Sequence, residues 1–167
     1  VTWERAAAPF ERLPAWAEAA IPGARNMWAP DISRVNGRYR LYYSVSTFGS
    51  NRSAIGLATT ATLDPAAPGY GWRDEGLVVQ SVPASDFNAI DPNFFAGADG
   101  RHWLSLGSFW TGLKLFRLNP ATGKPLVPGE KPRAIVSRPV PAGAPSIVEA
   151  PFIFAHGGWH WLMASYD

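Results

Sequence analysis

"IDPNFFAGADGRHWLSLGSF", residues 90–109, holds a strand, a turn and a second strand in one short stretch. Asp91 stands beside Pro92, a short apolar run follows, then Asp99-Gly100, then the aromatic-rich "HWLSLGS" of residues 102–108. Asp-Gly between apolar runs is among the strongest short hairpin signals, because glycine accepts the positive φ that tight turns demand. The same order of features occurs twice more. "APDISRVNGRYRLYYSVS" (29–46) sets Asp31 beside Pro30, then Asn36-Gly37, then "YRLYYSV"; "EAPFIFAHGGWHWLMASYD" (149–167) sets Glu149 near Pro151, then Gly157-Gly158, then "WHWLMAS". The prolines Pro30, Pro92 and Pro151 are 62 and 59 positions apart.

A period near 60 with one hairpin per unit is the pattern of β-propeller blades with long outer loops. Further strand candidates fill the intervals: "SAIGLATT" from Ser53, "GLVVQ" from Gly76, "GLKLFRL" from Gly112 and "RAIVS" from Arg133. Each unit then has about four strands. The expected fold is all-β, one domain over 1–167, covering roughly two and a half to three blades of a propeller whose closed forms have about four to eight. A β-sandwich with three similar hairpins is the alternative on pattern alone. Residues 1–28 are poorer in strand signal, and "PAWAEAA" (14–20) reads as loop. The chain opens on Val1 with no signal-peptide pattern and stops at Asp167 within a strand-like run, so truncation at both ends is expected.

Composition excludes several classes. The 167 residues suffice for a real core, and 47% apolar content argues against disorder. Sixteen glycines and sixteen prolines favour short strands and tight turns over long helices. A net charge of +2 without a basic run argues against nucleic acid and anionic membranes as partners. With no cysteine there is neither a disulfide framework nor a thiolate metal site. No apolar run approaches membrane-spanning length.

The repeat places a carboxylate at the start of three strands: Asp31, Asp91 and Glu149. The inner strands of propeller blades converge on one pocket, so Asp91 and Glu149, from neighbouring units, are expected to face a common funnel. A single Asp beside proline is ordinarily a turn cap; three recurring in one repeat favour a working group. Paired carboxyls in differently polar surroundings are the machinery of glycoside hydrolysis. Glu149 sits between Val148 and Ala150, with Ile147 and Phe152 near it. Apolar surroundings, or a nearby carboxylate, favour the protonated carboxyl that a general acid needs. Trp28, Phe48 and Trp110 fall where the repeat places the pocket rim, and flat aromatic faces there stack on sugar C–H faces; the other tryptophans read as core. His102, His156 and His160 lie in or beside the hairpin turns and read as surface or edge residues rather than metal ligands.

Taken together, "NMWAPDI" (26–32), "LYYSVSTFGSNRSAIGLATT" (41–60), "NAIDPNFF" (88–95), "WLSLGSFWTGLKL" (103–115) and "EAPFIF" (149–154) resemble glycoside hydrolase family 43, and within it the endo-α-1,5-L-arabinanases. The resemblance covers nearly the whole chain in order. It implies a five-bladed propeller and inverting hydrolysis of internal bonds in arabinan, the substrate partner. It implies that Glu149 is the general acid and that Asp91 tunes and orients it. Asn88, Ala89 and Ile90 match one substrate-contacting turn, and Ser108, Phe109 and Trp110 match a second. Phe48 and Gly49 match contacts near the cleaved bond, Trp28 a stacking platform, and Asp31 a motif residue with a supporting role. The family's general base belongs to a His-Asp-Pro motif, and no such tripeptide occurs here. The chain as it stands is therefore expected to be inactive or nearly so. No cofactor is required for the chemistry; the resemblance implies a structural calcium in the full-length protein, with no metal ligands in this chain. Incomplete blades leave edges uncovered, so self-association is expected. A polymeric substrate implies a secreted or periplasmic protein. A carbohydrate-binding piece without catalysis, and an exo-acting arabinofuranosidase or xylosidase on the same fold, are the competing readings.

Overall fold

The computed structural model describes residues 2–3 and 7–166, so the expectations drawn from Val1 and Asp167 lie outside the described residues. Ten strands occur among those described, in three antiparallel groups. Met27–Val35 (β1), Arg38–Val45 (β2), Ser53–Thr60 (β3) and Arg73–Ser81 (β4) form a meander in the order β1-β2-β3-β4. Asn93–Ala96 (β5), His102–Leu106 (β6), Leu113–Leu118 (β7) and Arg133–Val136 (β8) form a second, in the order β5-β6-β7-β8. Val148–His156 (β9) and Trp159–Tyr166 (β10) pair as a hairpin. Among the described residues the chain is all-β apart from one short helix, and the strand candidates from Ser53, Gly76, Gly112 and Arg133 fall on β3, β4, β7 and β8 to within a residue.

The three turns are of two kinds. Asn36 and Gly37 have φ of 50° and 79°, and Gly157 and Gly158 have 59° and 80°, the positive pairs of two-residue hairpins. Asp99-Gly100 instead belongs to a longer connection. Gly100 N–H donates to the Gly97 carbonyl at 2.9 Å, and Asp99 Oδ1 accepts from Arg101 N–H at 3.0 Å. There the aspartate side chain shapes the turn.

The main core lies between the two four-stranded sheets, with Tyr42, Ile55, Leu57, Leu104, Leu106 and Phe116 at its centre. The other face of the first sheet is covered by the N-terminal segment, where Leu13, Ala17 and Ile21 pack on Tyr43, Val45, Ala54 and Ala58. With cover on both faces, every residue of β3 is buried. Gly56 is required there, since a Cβ would come within 2.4 Å of the Tyr43 ring.

The segment read as loop holds a helix, Ala15–Ala20 (α1). Six residues cannot hold a helix by propensity alone, however rich in alanine. Tertiary contacts fix it: Ala17 is fully buried, and Trp16 Nε1–H donates to Asp74 Oδ2 at 3.0 Å.

Candidate active site

Each inner strand begins with the same backbone irregularity. Ala29, Asp91 and Ala150 have φ of 41°, 54° and 53°, and each directly precedes a proline. Left-handed backbone is strained for a residue with a Cβ, so a position repeated three times must be held by its surroundings. The kink interrupts pairing: the β1–β2 register shifts between Trp28 and Asp31, and the β9–β10 register between Met163 and Ser165, the partners of Phe152 and Glu149. Trp28, Ile90 and Glu149 share the position two before the proline, and all three line one cleft of about 1020 Å³.

Counting from the proline corrects the expectation of three carboxylates in register. Glu149 is two residues before it, Asp91 one before, and Asp31 one after. Asp91 and Glu149 both line the cleft, and Asp31 does not. Asp31 turns between the sheets, where Oδ1 accepts from Asn93 Nδ2–H at 3.1 Å and Oδ2 from Phe94 N–H at 2.9 Å. Burial raises its pKa, and these two donors oppose the rise.

The two cleft carboxyls differ in surroundings. Asp91 N–H donates to Ser44 Oγ at 3.0 Å, and its Oδ2 accepts from Ala150 N–H at 3.2 Å. Burial pushes the Asp91 carboxyl up to about 6, the Ala150 N–H pulls it down, and the charge of Glu149 pushes it further up. Glu149 Oε2 accepts from Ser108 Oγ–H at 2.7 Å, across an antiparallel bridge between Ser108 and Glu149. The apolar groups near Glu149 in the cleft are Ile90, Phe109 and Trp110 rather than its neighbours in sequence. Side chains alternate along a strand, so Val148 is buried on the other side, and Phe152 is half exposed.

The loop bearing Ser108 is tightly held. Gly107 N–H donates to the Ile90 carbonyl at 2.8 Å, and Phe109 N–H to the Val148 carbonyl at 3.1 Å. Phe109 and Trp110 take φ of 59° and 46°. Gly112, at φ 81°, has no room for a Cβ, which would lie 2.2 Å from the Val136 carbonyl oxygen. Beneath the loop, the almost wholly buried Lys114 donates from Nζ to the Thr111 carbonyl at 2.9 Å. Burial lowers its pKa, and the Asp86 charge opposes that.

Of the residues expected to contact substrate, Trp28, Phe48, Gly49, Asn88, Ile90, Ser108, Phe109 and Trp110 line the cleft. Ala89 is a correction: it is fully buried in the main core, and its N–H donates to Ser81 Oγ at 2.9 Å. In so tight a turn the middle side chain faces inward. Asn88 accepts from Ser53 Oγ–H at 2.6 Å through Oδ1. The sequence reading missed Ser46, Thr47, Asp86, Thr111 and the 143–145 segment, which also line the cleft. They sit in loops with no periodicity, and only the adjacency of Thr47 to Phe48 and of Thr111 to Trp110 marks them. His156 and His160 are exposed, and His102, at the start of β6, is half-buried. It meets the Phe94 ring edge-on at 5.2 Å, and its pKa is lowered by burial and by Arg40. Among the described residues no cluster of three or more His, Asp or Glu could hold a metal ion.

The cleft thus brings two carboxyls, Asp91 and Glu149, beneath an aromatic rim of Trp28, Phe48 and Trp110. The family model described as glycosyl hydrolases family 43 matches residues 1–167, and the chain belongs to that family. It is 44% identical to the extracellular exo-α-(1→5)-L-arabinofuranosidase of Cellvibrio japonicus, over 99% of this chain and 50% of that protein. It is also 44% identical to the extracellular endo-α-(1→5)-L-arabinanase 1 of Bacillus subtilis, over 91% of this chain and 44% of that protein. The family 43 endo-arabinanase structure from Bacillus licheniformis superposes with a TM-score of 0.87 at 45% identity, covering 99% of this chain and 54% of that one. The Cellvibrio cellulosa α-L-arabinanase complexed with arabinohexaose superposes with a TM-score of 0.85 at 41% identity, covering 95% and 52%. The chain thus spans about half the length of the relatives it matches.

Proposed function

We propose that this chain carries the acid half of an arabinan-hydrolysing site, working by inversion on internal α-1,5-L-arabinofuranosidic bonds. The observation that carries the reading is the convergence of Asp91 and Glu149, from the starts of β5 and β9, on one aromatic-rimmed cleft. The protein is read as one five-bladed propeller domain, with the two meanders and the β9–β10 hairpin as two and a half blades. Glu149 gives its proton to the leaving glycosidic oxygen as the bond to the anomeric carbon breaks. Water attacks that carbon from the opposite face and yields its proton to a general base, about 6.5–9.5 Å from the acid. No His-Asp-Pro occurs in the chain, so the base comes from outside these residues, and the chain alone is inactive. Burial holds the Asp91 carboxyl up at about 6, and the charge of Glu149 adds to that rise. Ser108 orients the Glu149 carboxyl. Trp28, Phe48 and Trp110 bind the sugar faces.

Secretion follows from the substrate's size and from two relatives named as extracellular. Any structural calcium is held by residues outside this chain. Exo action is the second reading, favoured by the relative named as an exo-arabinofuranosidase. The test is product analysis on linear arabinan with the full-length protein and its Glu149→Gln variant. Mixed oligosaccharides from the first and almost none from the second are expected. Arabinose or one short product from the outset would establish exo action, and an undiminished Glu149→Gln would remove the acid assignment.

A further inference from the structure

The inner strands β1, β5 and β9 belong to three different sheets, so no β-ladder joins them. Near the cleft, two rows of hydrogen bonds link them, the upper one starting from β2 beside β1. The upper row runs from Ser44 to the Asp91 N–H, and from Asp91 Oδ2 to the Ala150 N–H. The lower row runs from Asp31 to Asn93 Nδ2–H at 3.1 Å, and from Asn93 Oδ1 to the Ile153 N–H at 2.7 Å. Asn93 is almost wholly buried. Its amide is polarised in one direction: an ionised carboxylate can only accept and a backbone N–H can only donate. The –NH₂ therefore faces Asp31 and the oxygen faces β9.

We propose that Asp31 and Asn93 are positioning residues, a buried relay that sets β9 against β5 and so fixes Glu149 relative to Asp91. This rests on the roles proposed above for Asp91 and Glu149. The geometry is short-range: Asn93 is two residues from Asp91, and Ile153 is four from Glu149 on the same strand. Unpaired polar groups at this depth are costly, so the row closes only when all three strands are in place.

The polarity of the relay allows a swap test in the full-length protein. Asp31→Asn puts an –NH₂ against the donors of Asn93 or Phe94. Asn93→Asp sets two carboxyls face to face. The double variant Asp31→Asn/Asn93→Asp restores every bond with the donor and acceptor exchanged across the Asp31–Asn93 contact, and it keeps the net charge. Each single variant is expected to lower kcat on linear arabinan about 10–100-fold, since displacement on the order of 1 Å has such effects. KM should change less than about threefold. Release of the Ala150 N–H from Asp91 should also move the acid limb of the pH profile to higher pH. The double variant should recover kcat to within about threefold of the parent, with the parental profile. Single variants that lose melting temperature but keep the kcat and pH profile of the folded enzyme would overturn the proposal, by showing a purely structural role. So would a double variant that is folded yet as slow as the singles, or one that does not fold. Glu149→Gln run alongside separates this from the reading of the site: if it is fully active, the acid assignment fails first.

Discussion

The starts of β5 and β9 are built on the same device and hold different carboxyls. Both have a left-handed residue before a proline, and both turn a side chain into the cleft. At β5 the acid is the left-handed residue itself, Asp91. At β9 it is one position earlier, Glu149. That single step decides their chemistry. Asp91 is tied into the backbone of its neighbours and desolvated, while Glu149 meets a side-chain hydroxyl on a loop. One kink thus yields a carboxyl that burial holds up at about 6 and another that is oriented by a hydroxyl on a tightly held loop.

The largest expected effect of breaking this comparison is at Glu149. Glu149→Gln should lower kcat of the full-length protein on arabinan about 10²–10⁴-fold, the usual contribution of a positioned acid, as read by reducing-end release.

Asp91 sharpens the comparison through stability. Its folded pKa of about 6 lies above the ordinary 3.8, so the folded state holds the proton more tightly than the unfolded one. The resulting stability is complete below the ordinary value and is lost as pH rises through about 6. The chain should therefore be less stable at pH 7.5 than at pH 3.5 by about 1–3 kcal/mol from this group. Asparagine tolerates left-handed backbone and can still accept from Ala150. Asp91→Asn should abolish that dependence in urea titrations and stabilise the chain at pH 7.5, while impairing hydrolysis by the full-length protein.

Ser108→Ala removes the donor to Glu149. A misplacement of about 1 Å can cost about 100-fold, so kcat of the full-length protein should fall about tenfold or more without loss of fold, measured by steady-state kinetics and circular dichroism.

The smallest effect on stability is expected on the hairpin. Trp159 and Met163 are mostly exposed. Trp159→Lys and Met163→Lys should change unfolding free energy by less than about 0.5 kcal/mol, yet reduce self-association of the isolated chain in light scattering.

Much of this was legible in the sequence because strands and turns announce themselves locally. The spacing of Pro30, Pro92 and Pro151 and the Asn-Gly and Gly-Gly pairs located the inner hairpins, and the aromatic positions after them located the cleft rim. What escaped was set by three-dimensional context. Helix α1 exists by packing on Tyr43 and its neighbours, not by its own six residues. Ala89 faces inward because of a turn that no periodicity describes. Asp31 resembled its counterparts by sitting beside a proline, but on the other side of it, beyond the kink. The apolar groups that share the cleft with Glu149, Ile90 and Phe109 among them, come from other strands and loops, which its own sequence neighbours do not reveal.

The central claim is that Glu149 protonates the leaving oxygen in a pair with Asp91. It is tested most directly by comparing arabinan with an activated aryl glycoside of an arabino-oligosaccharide as substrates for the full-length Glu149→Gln variant. An aryloxide leaves without a proton, so the account predicts near-parental cleavage of the aryl bond beside a large loss on arabinan. An equal loss on both substrates, or none on either, would contradict it.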